Sequence, residues 1–141
     1  MPSFDFTQAP GHLIRRAHQT SIALFARETM GFDVTAVQFA IMQVLLEKPG
    51  TDQVTVAQQV ALDAATSGAV IGRLEARGWL RREADAVDKR RKLMWLTDAG
   101  RKAAKKMTKP VQKVQDKLLA SLSQDEQLLL VALLKKINAI D

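Results

Sequence analysis

The chain has 141 residues, 47% of them hydrophobic and 26% charged, with a net charge of +6 and no cysteine. That length suits one compact domain or one subunit of an intertwined dimer, with enough apolar residues for a core. The lack of cysteine excludes disulfides, thiol catalysis and cysteine-based redox sensing, and fits a reducing, cytoplasmic setting. The charge is unevenly spread: residues 54–109 carry 13 Lys and Arg against 6 Asp and Glu, and the remainder carries 8 against 9. A positive field concentrated in one section suits counterion exchange with phosphates, although the same charge also reads as a solvated face.

The segment from Met1 to Phe6 has neither a basic n-region nor an apolar h-region, so no signal peptide is expected. A first helix is expected from about Pro10 to Met30, with proline suited to its first turn. A second starts at Thr35, where Thr35 and Gln38 make a capping box, and ends before Pro49-Gly50. A short third helix, about Gln53 to Ala61, has Asp52 as its N-cap candidate. The fourth follows Asp63 and ends at Gly78. Trp79 to Ala84 and Lys92 to Leu96 read as two strands of a hairpin, and the tip between them reads Asp88-Lys89-Arg90-Arg91-Lys92. A fifth helix runs from Thr97 to about Leu119, with Pro110 predicting a kink. A sixth opens on the capping box Ser123–Glu126 and runs to about Ala139.

Helix, hairpin and basic tip in that order predict a mainly α chain with a small β-hairpin wing, a winged helix-turn-helix that grips duplex DNA. The sixth helix is apolar nearly all round: Leu128, Leu129, Leu130, Val131, Leu133, Leu134 and Ile137. Such a helix is buried on several sides, and one small subunit cannot easily surround it. Helices one, five and six therefore read as a dimer interface; the alternative is an unusually buried core helix in a monomer. The run 128–134 is too short to span a bilayer, so no membrane partner is expected. Residues 1–34 with 97–141 are the expected dimerisation region, and 35–96 the expected winged helix-turn-helix of one intertwined domain.

No glycine-rich phosphate loop, nucleophile elbow or histidine-rich site is present, so no enzyme and no cofactor is expected. His12 and His18 stand six residues apart without cysteine or a close acidic cluster, so no metal site is expected. A competing non-enzymatic reading is a basic protein-interaction module docking an acidic partner. Preference for a palindromic duplex separates the two, whereas salt dependence does not.

Several segments together carry a family resemblance: Val34-Thr35-Ala-Val-Gln38-Phe39, Val56-Ala57, and Leu74-Glu75-Ala-Arg77-Gly78-Trp79-Leu80. Asp88-Lys89-Arg90 and Leu96-Thr97-Asp-Ala-Gly100-Arg101 follow in the same order. Each is weak alone. In this order and spacing, over roughly residues 10–139, the chain resembles the MarR family of bacterial transcription regulators. The resemblance implies a homodimer with two winged-helix lobes on a helical base, bound to pseudo-palindromic operator DNA, commonly as a repressor.

By that resemblance, Ala65, Thr66, Gly68, Ala69 and Arg73 face the major groove. The set departs from the commoner polar pattern. Ala65, Gly68 and Ala69 cannot hydrogen-bond bases through side chains, which leaves thymine methyl contacts, Thr66, Arg73, the wing and DNA shape to discriminate. A helix kept slim for internal packing is the alternative. Arg90 matches the family arginine that enters the minor groove, and Asp88 the acid that orients it. Lys89, Arg91 and Lys92 are expected at phosphates, which position without reading sequence. Trp79 and Trp95 are expected to pack the hairpin.

The first helix contains Arg15-Arg16-Ala-His18, which resembles a MarR subgroup answering to aromatic carboxylic acids. A guanidinium of Arg15 or Arg16 would hold a small aromatic carboxylate, His18 would bond a ring substituent, and Ile22, Phe25 or Phe39 would receive the ring. The expected place for this effector is between the dimer base and the DNA-binding lobe. Pairing of these arginines with acids at the dimer surface is the alternative.

Overall fold

The computed structural model describes residues 3–139. They form a 3₁₀ turn at Phe6–Gln8, then α1 (Pro10–Glu28), α2 (Ala36–Glu47), α3 (Gln53–Gln59), α4 (Ala64–Ala76), β1 (Leu80–Ala84), β2 (Lys92–Leu96), α5 (Asp98–Leu118) and α6 (Gln124–Ile137). The mainly helical winged-helix architecture is as the sequence predicts. The 3₁₀ turn was not expected; Asp5 caps it by accepting from the Thr7 amide.

The helix starts are set locally. Thr35 and Ser123 each accept from the amide three residues on, while Gln38 and Glu126 reach back to the cap amides. Asp52 and Asp63 cap α3 and α4 through the amides of Thr55 and Thr66. These caps satisfy amides that the first helical turn leaves without partners. The end of α4 needs Gly78, whose φ is +79°; there the Trp79 amide reaches back to the Leu74 carbonyl at 3.1 Å.

The chain divides into two compact units. Residues 29–110 make one, and 3–28 with 111–139 make the other, so the division falls inside α5 at Pro110. The first unit has a continuous core: Ile41, Met42 and Leu45 of α2, Val56 of α3, Ile71 and Leu74 of α4, Leu80, Met94 and Leu96 of the hairpin, and Ala104 of α5. Ala104 places the start of α5 with the winged-helix core.

The strands pair antiparallel, Leu80 opposite Leu96 and Ala84 opposite Lys92. A short extra pairing escapes the sequence. The Gly50 amide donates to the Met94 carbonyl at 2.8 Å, the Met94 amide to the Thr51 carbonyl at 3.1 Å, and Asp52 bridges Leu93. The entry to α3 is thereby stitched to β2.

Gly100, in the first turn of α5, is buried against the backbone of Trp79. A Cβ there would lie 2.1 Å from the Trp79 carbonyl oxygen. That oxygen already accepts from the Thr97 amide at 3.0 Å, and the Thr97 hydroxyl accepts from the Gly100 amide at 3.1 Å.

In the second unit, α6 has no fully buried residue. Leu130 and Leu134 are half-buried, and the Gln127 side chain donates to the carbonyls of Leu119 and Leu122. Leu128, Leu129, Val131, Leu133 and Ile137 are exposed, as are Leu13, Ile14 and Ile22 of α1. An open cleft of about 570 Å³ lies between apolar side chains of α1, the end of α5 and α6, including Leu13, Leu118, Leu130 and Leu134. No helix among the described residues is long and apolar enough to cross a membrane.

Candidate nucleic-acid interface

The helical period sorts α4 into two faces. Ser67, Ile71 and Leu74 are buried, and the Ser67 hydroxyl donates to the Ala64 carbonyl at 2.8 Å. Ala65, Thr66, Ala69 and Arg73 are exposed and fall on the opposite face, with half-buried Gly68 at its edge. All five proposed groove-facing residues thus lie on or beside one open strip. Thr66 is partly committed: its hydroxyl donates to Asp63 at 3.0 Å, which leaves it acceptor capacity toward a ligand. Hydrogen bonds donated by the Thr66 amide, and then by its hydroxyl, hold the Asp63 carboxyl below its ordinary range.

The wing is ordered by its own carboxylates. The Asp85 side chain accepts from the Val87 amide at 2.9 Å, and the Asp85 amide donates to the Arg91 carbonyl at 2.8 Å. The Asp88 carboxylate accepts from the Arg90 amide at 3.1 Å and from its Nε at 3.3 Å. The Arg90 side chain remains 93% exposed, so Asp88 aims a cation that no other described residue covers. Lys89 and Lys92 are exposed without an acidic partner among the described residues.

Arg91 is placed differently from its neighbours. Its guanidinium is shared between Asp52 and Asp85, at 3.2 Å each. The Thr55 hydroxyl first, and then its amide and Arg91, hold Asp52 below the ordinary carboxylate range. The Val87 amide, followed by Arg91, does the same for Asp85.

A second network, invisible in the sequence, ties β1 to both helices of the helix-turn-helix. Arg82 donates from Nη2 and Nε to Glu75 at 2.9 and 3.3 Å, and from Nη1 to Gln53 at 3.1 Å. Its hydrogen bonds to Glu75 raise the Arg82 pKa and lower that of Glu75. Arg82 stands opposite Met94 in the hairpin, a register set by the fold. Trp79 lies beneath Arg77, whose guanidinium is 3.7 Å from the ring centre, and Arg77 also holds the Phe32 and Asp33 carbonyls. Trp95 lies 4.4 Å from the Arg81 guanidinium and against Gly50. Both tryptophans are engaged within the hairpin region.

The residues expected at an effector are dispersed in character. Arg15, Arg16, His18 and Ile22 are exposed on α1. His18 lines the cleft of the second unit, whereas Arg15 and Arg16 do not. Phe25 and Phe39 are covered, at 7% and 9% exposure, and belong to different units. Gln43, which sequence reasoning passed over, has a buried Oε1 without a hydrogen-bond partner among the described residues; a lone amide inside the apolar run of α2 was its signal. No cluster of metal-binding side chains occurs among the described residues.

Comparison with known proteins agrees with this geometry. A family model described as MarR family matches residues 32–91. The transcriptional regulator HosA of Escherichia coli O157:H7 is 36% identical over 125 residues, 89% of this chain and 91% of that protein. The structure of the PcaV transcriptional regulator from Streptomyces coelicolor, in complex with its natural ligand, superposes with a TM-score of 0.92 at 33% identity, over 99% of this chain and 98% of that one. Bordetella bronchiseptica BpsR, whose DNA binding is regulated by 6-hydroxynicotinic acid, gives 0.93 at 31% identity, over 99% and 100%. An exposed strip on α4, a carboxylate-braced basic wing and kinship along nearly the whole chain therefore meet in one assignment: the protein belongs to the MarR family of winged-helix, DNA-binding transcriptional regulators.

Proposed function

We propose that the protein is a homodimeric repressor that holds a pseudo-palindromic operator through two α4 helices and two wings, and leaves it when a small aromatic carboxylate binds. The carrying observation is the wing tip, where Asp88 aims an otherwise uncovered Arg90. A guanidinium so presented suits a narrow minor groove, where the negative potential is enhanced. The α4 strip adds Thr66 and Arg73 at base edges and small residues that permit close approach. Two such helices would meet half-sites on the order of 34 Å apart.

Arg90→Ala is expected to weaken operator binding by about 1–3 kcal/mol. Lys92→Ala should weaken binding to all duplexes alike and flatten the salt dependence by about one contact. Fluorescence titration of labelled duplexes at several salt concentrations checks both. Equal operator affinity of wild type and Arg90→Ala takes the wing out of the mechanism.

Dimerisation is supported by the apolar residues that α1 and α6 leave exposed, among them Leu13, Ile14, Leu128, Leu129 and Leu133. The effector reading is supported by Arg15 and Arg16, exposed and without acidic partners among the described residues, and by the aromatic acid named for BpsR. The arginines would take the carboxylate, with His18 at a ring substituent and Ile22 one turn on as the apolar contact. Covered Phe25 and Phe39 are poorer ring contacts than the sequence suggests. Ligand binding and operator binding oppose each other by the same factor, whichever is added first. Calorimetry with benzoate-, nicotinate- and cinnamate-type acids, with and without operator, measures that factor. Acids that bind without changing operator affinity exclude this mode of release.

A further inference from the structure

We propose that Arg91 is a positioning residue that clamps the wing to the start of α3 and thereby sets where Arg90 stands relative to the recognition strip of α4. This rests on the DNA-binding reading above and goes beyond it, because it assigns to one of the basic wing residues a role that is not contact with DNA.

The geometry is that of a bridge. Arg91 Nη2 is 3.2 Å from Asp52 Oδ1, and Nη1 is 3.2 Å from Asp85 Oδ2. Asp52 is the N-cap of α3, and Asp85 is the residue where the wing loop leaves β1. Both carboxylates are well covered, with side chains 12% and 18% exposed. One planar fork reaches both, which a single ammonium cannot do with the same geometry. Among the described residues, this is the one side-chain tie from the loop 85–91 to a helix or helix cap. The strands of the hairpin pack on the helices through Leu80, Met94 and Leu96, but the loop between them stands off. An open cleft of about 420 Å³ separates the loop from the helices, with Val54, Ala57 and Ala64 on the helix side and Arg90 and Lys92 on the wing side. The strand ladder ends at Ala84 and Lys92, so the tip beyond it takes its position from this bridge and from its own turns.

Arg90 and Arg91 are adjacent in sequence yet have opposite assignments. The donors of Arg90, apart from Nε, face solvent; Nη1 and Nη2 of Arg91 are each engaged by a carboxylate. A guanidinium already neutralised by two acids releases no counterions from DNA when the protein binds. Its loss should therefore lower affinity without changing the salt slope, whereas loss of a phosphate contact lowers the slope by about 0.9.

The test uses full-length dimer and a duplex selected by the wild-type protein from a random-sequence pool. Arg91→Gln is expected to bind that duplex roughly tenfold more weakly with an unchanged salt slope, and Lys92→Gln to lose slope. Asp52→Asn keeps a good N-cap but removes the charge. In that background Arg91→Gln should cost little more, because the bridge is already weakened. Arg91→Lys should fall between wild type and Arg91→Gln. Hydroxyl-radical footprinting should lose minor-groove protection under the wing, while protection of guanine N7 in the major groove persists. Hydrogen exchange without DNA should show faster exchange at the wing amides only. The proposal is overturned if the slope of Arg91→Gln falls like that of Lys92→Gln, if its effect adds fully to that of Asp52→Asn, or if melting changes while operator affinity does not. A wild-type protein that selects no duplex removes the DNA reading itself, an outcome told apart from these by the wild-type arm alone.

Discussion

Gly100→Ala is expected to destabilise the protein by about 4 kcal/mol or more, within the exceptional tail for a single substitution. The added methyl would sit 2.1 Å from the Trp79 carbonyl oxygen, with the carbonyl carbon at 2.9 Å and the Cα at 3.1 Å. These are backbone atoms, so no side-chain rotation relieves the overlap. Retreat of the Trp79 carbonyl would also break its bond from the Thr97 amide. Both lie where β1 leaves α4 and α5 leaves β2, so the disturbance enters the core at Leu80 and Leu96. A loss of that size is a large part of the 5–15 kcal/mol that holds a typical domain together. Gly72→Ala is the control. It lies inside α4 with nothing within 4 Å of the added methyl, and should be neutral or stabilising by up to about 1 kcal/mol. Urea unfolding of the two variants decides the matter; equal midpoints would show that the contact at Gly100 is wrongly placed.

Leu133→Glu is expected to convert the proposed dimer to monomers and to abolish high-affinity operator binding with it. Leu133 is 48% exposed in the single chain, so the substitution leaves the monomer fold largely intact. In an apolar interface the same carboxylate has no partner, and burying it costs several kcal/mol unless it is protonated. A repressor that reads two half-sites with two linked lobes then retains only the affinity of one lobe. Light scattering at micromolar concentration should give the mass of two chains for wild type and of one for the variant, with unchanged helical circular dichroism. A variant that remains dimeric with wild-type operator affinity moves the interface away from this face of α6.

Features with local causes were legible in the sequence. The capping boxes at Thr35 and Ser123 and the caps at Asp52 and Asp63 each depend on residues three apart, so sequence spacing is enough to see them. Gly78 ends α4 where a left-handed residue is required. The α4 residues that prove exposed followed from family likeness. What escaped depends on distant partners. Asp52 and Arg91 are 39 residues apart, and Gln53 and Arg82 are 29 apart. Nothing in a basic run distinguishes the arginine that turns to the protein from the one that faces solvent. The stitch of residues 50–52 to β2 is too short to show a strand pattern. The apolar sixth helix suggested burial, yet its outer leucines are bare in one chain. Periodicity reports what must be covered and not which chain covers it.

Selection of duplexes from a random-sequence pool by the purified protein tests the central claim most directly. The account predicts enrichment of one pseudo-palindromic motif whose half-sites lie about one helical turn apart, on the order of 10 base pairs, and bound by two chains. It also predicts that a scrambled duplex of the same length binds at least 10³-fold more weakly at physiological salt. Recovery of no common motif, with selected and scrambled duplexes bound equally, would contradict the account and leave a basic surface without sequence recognition.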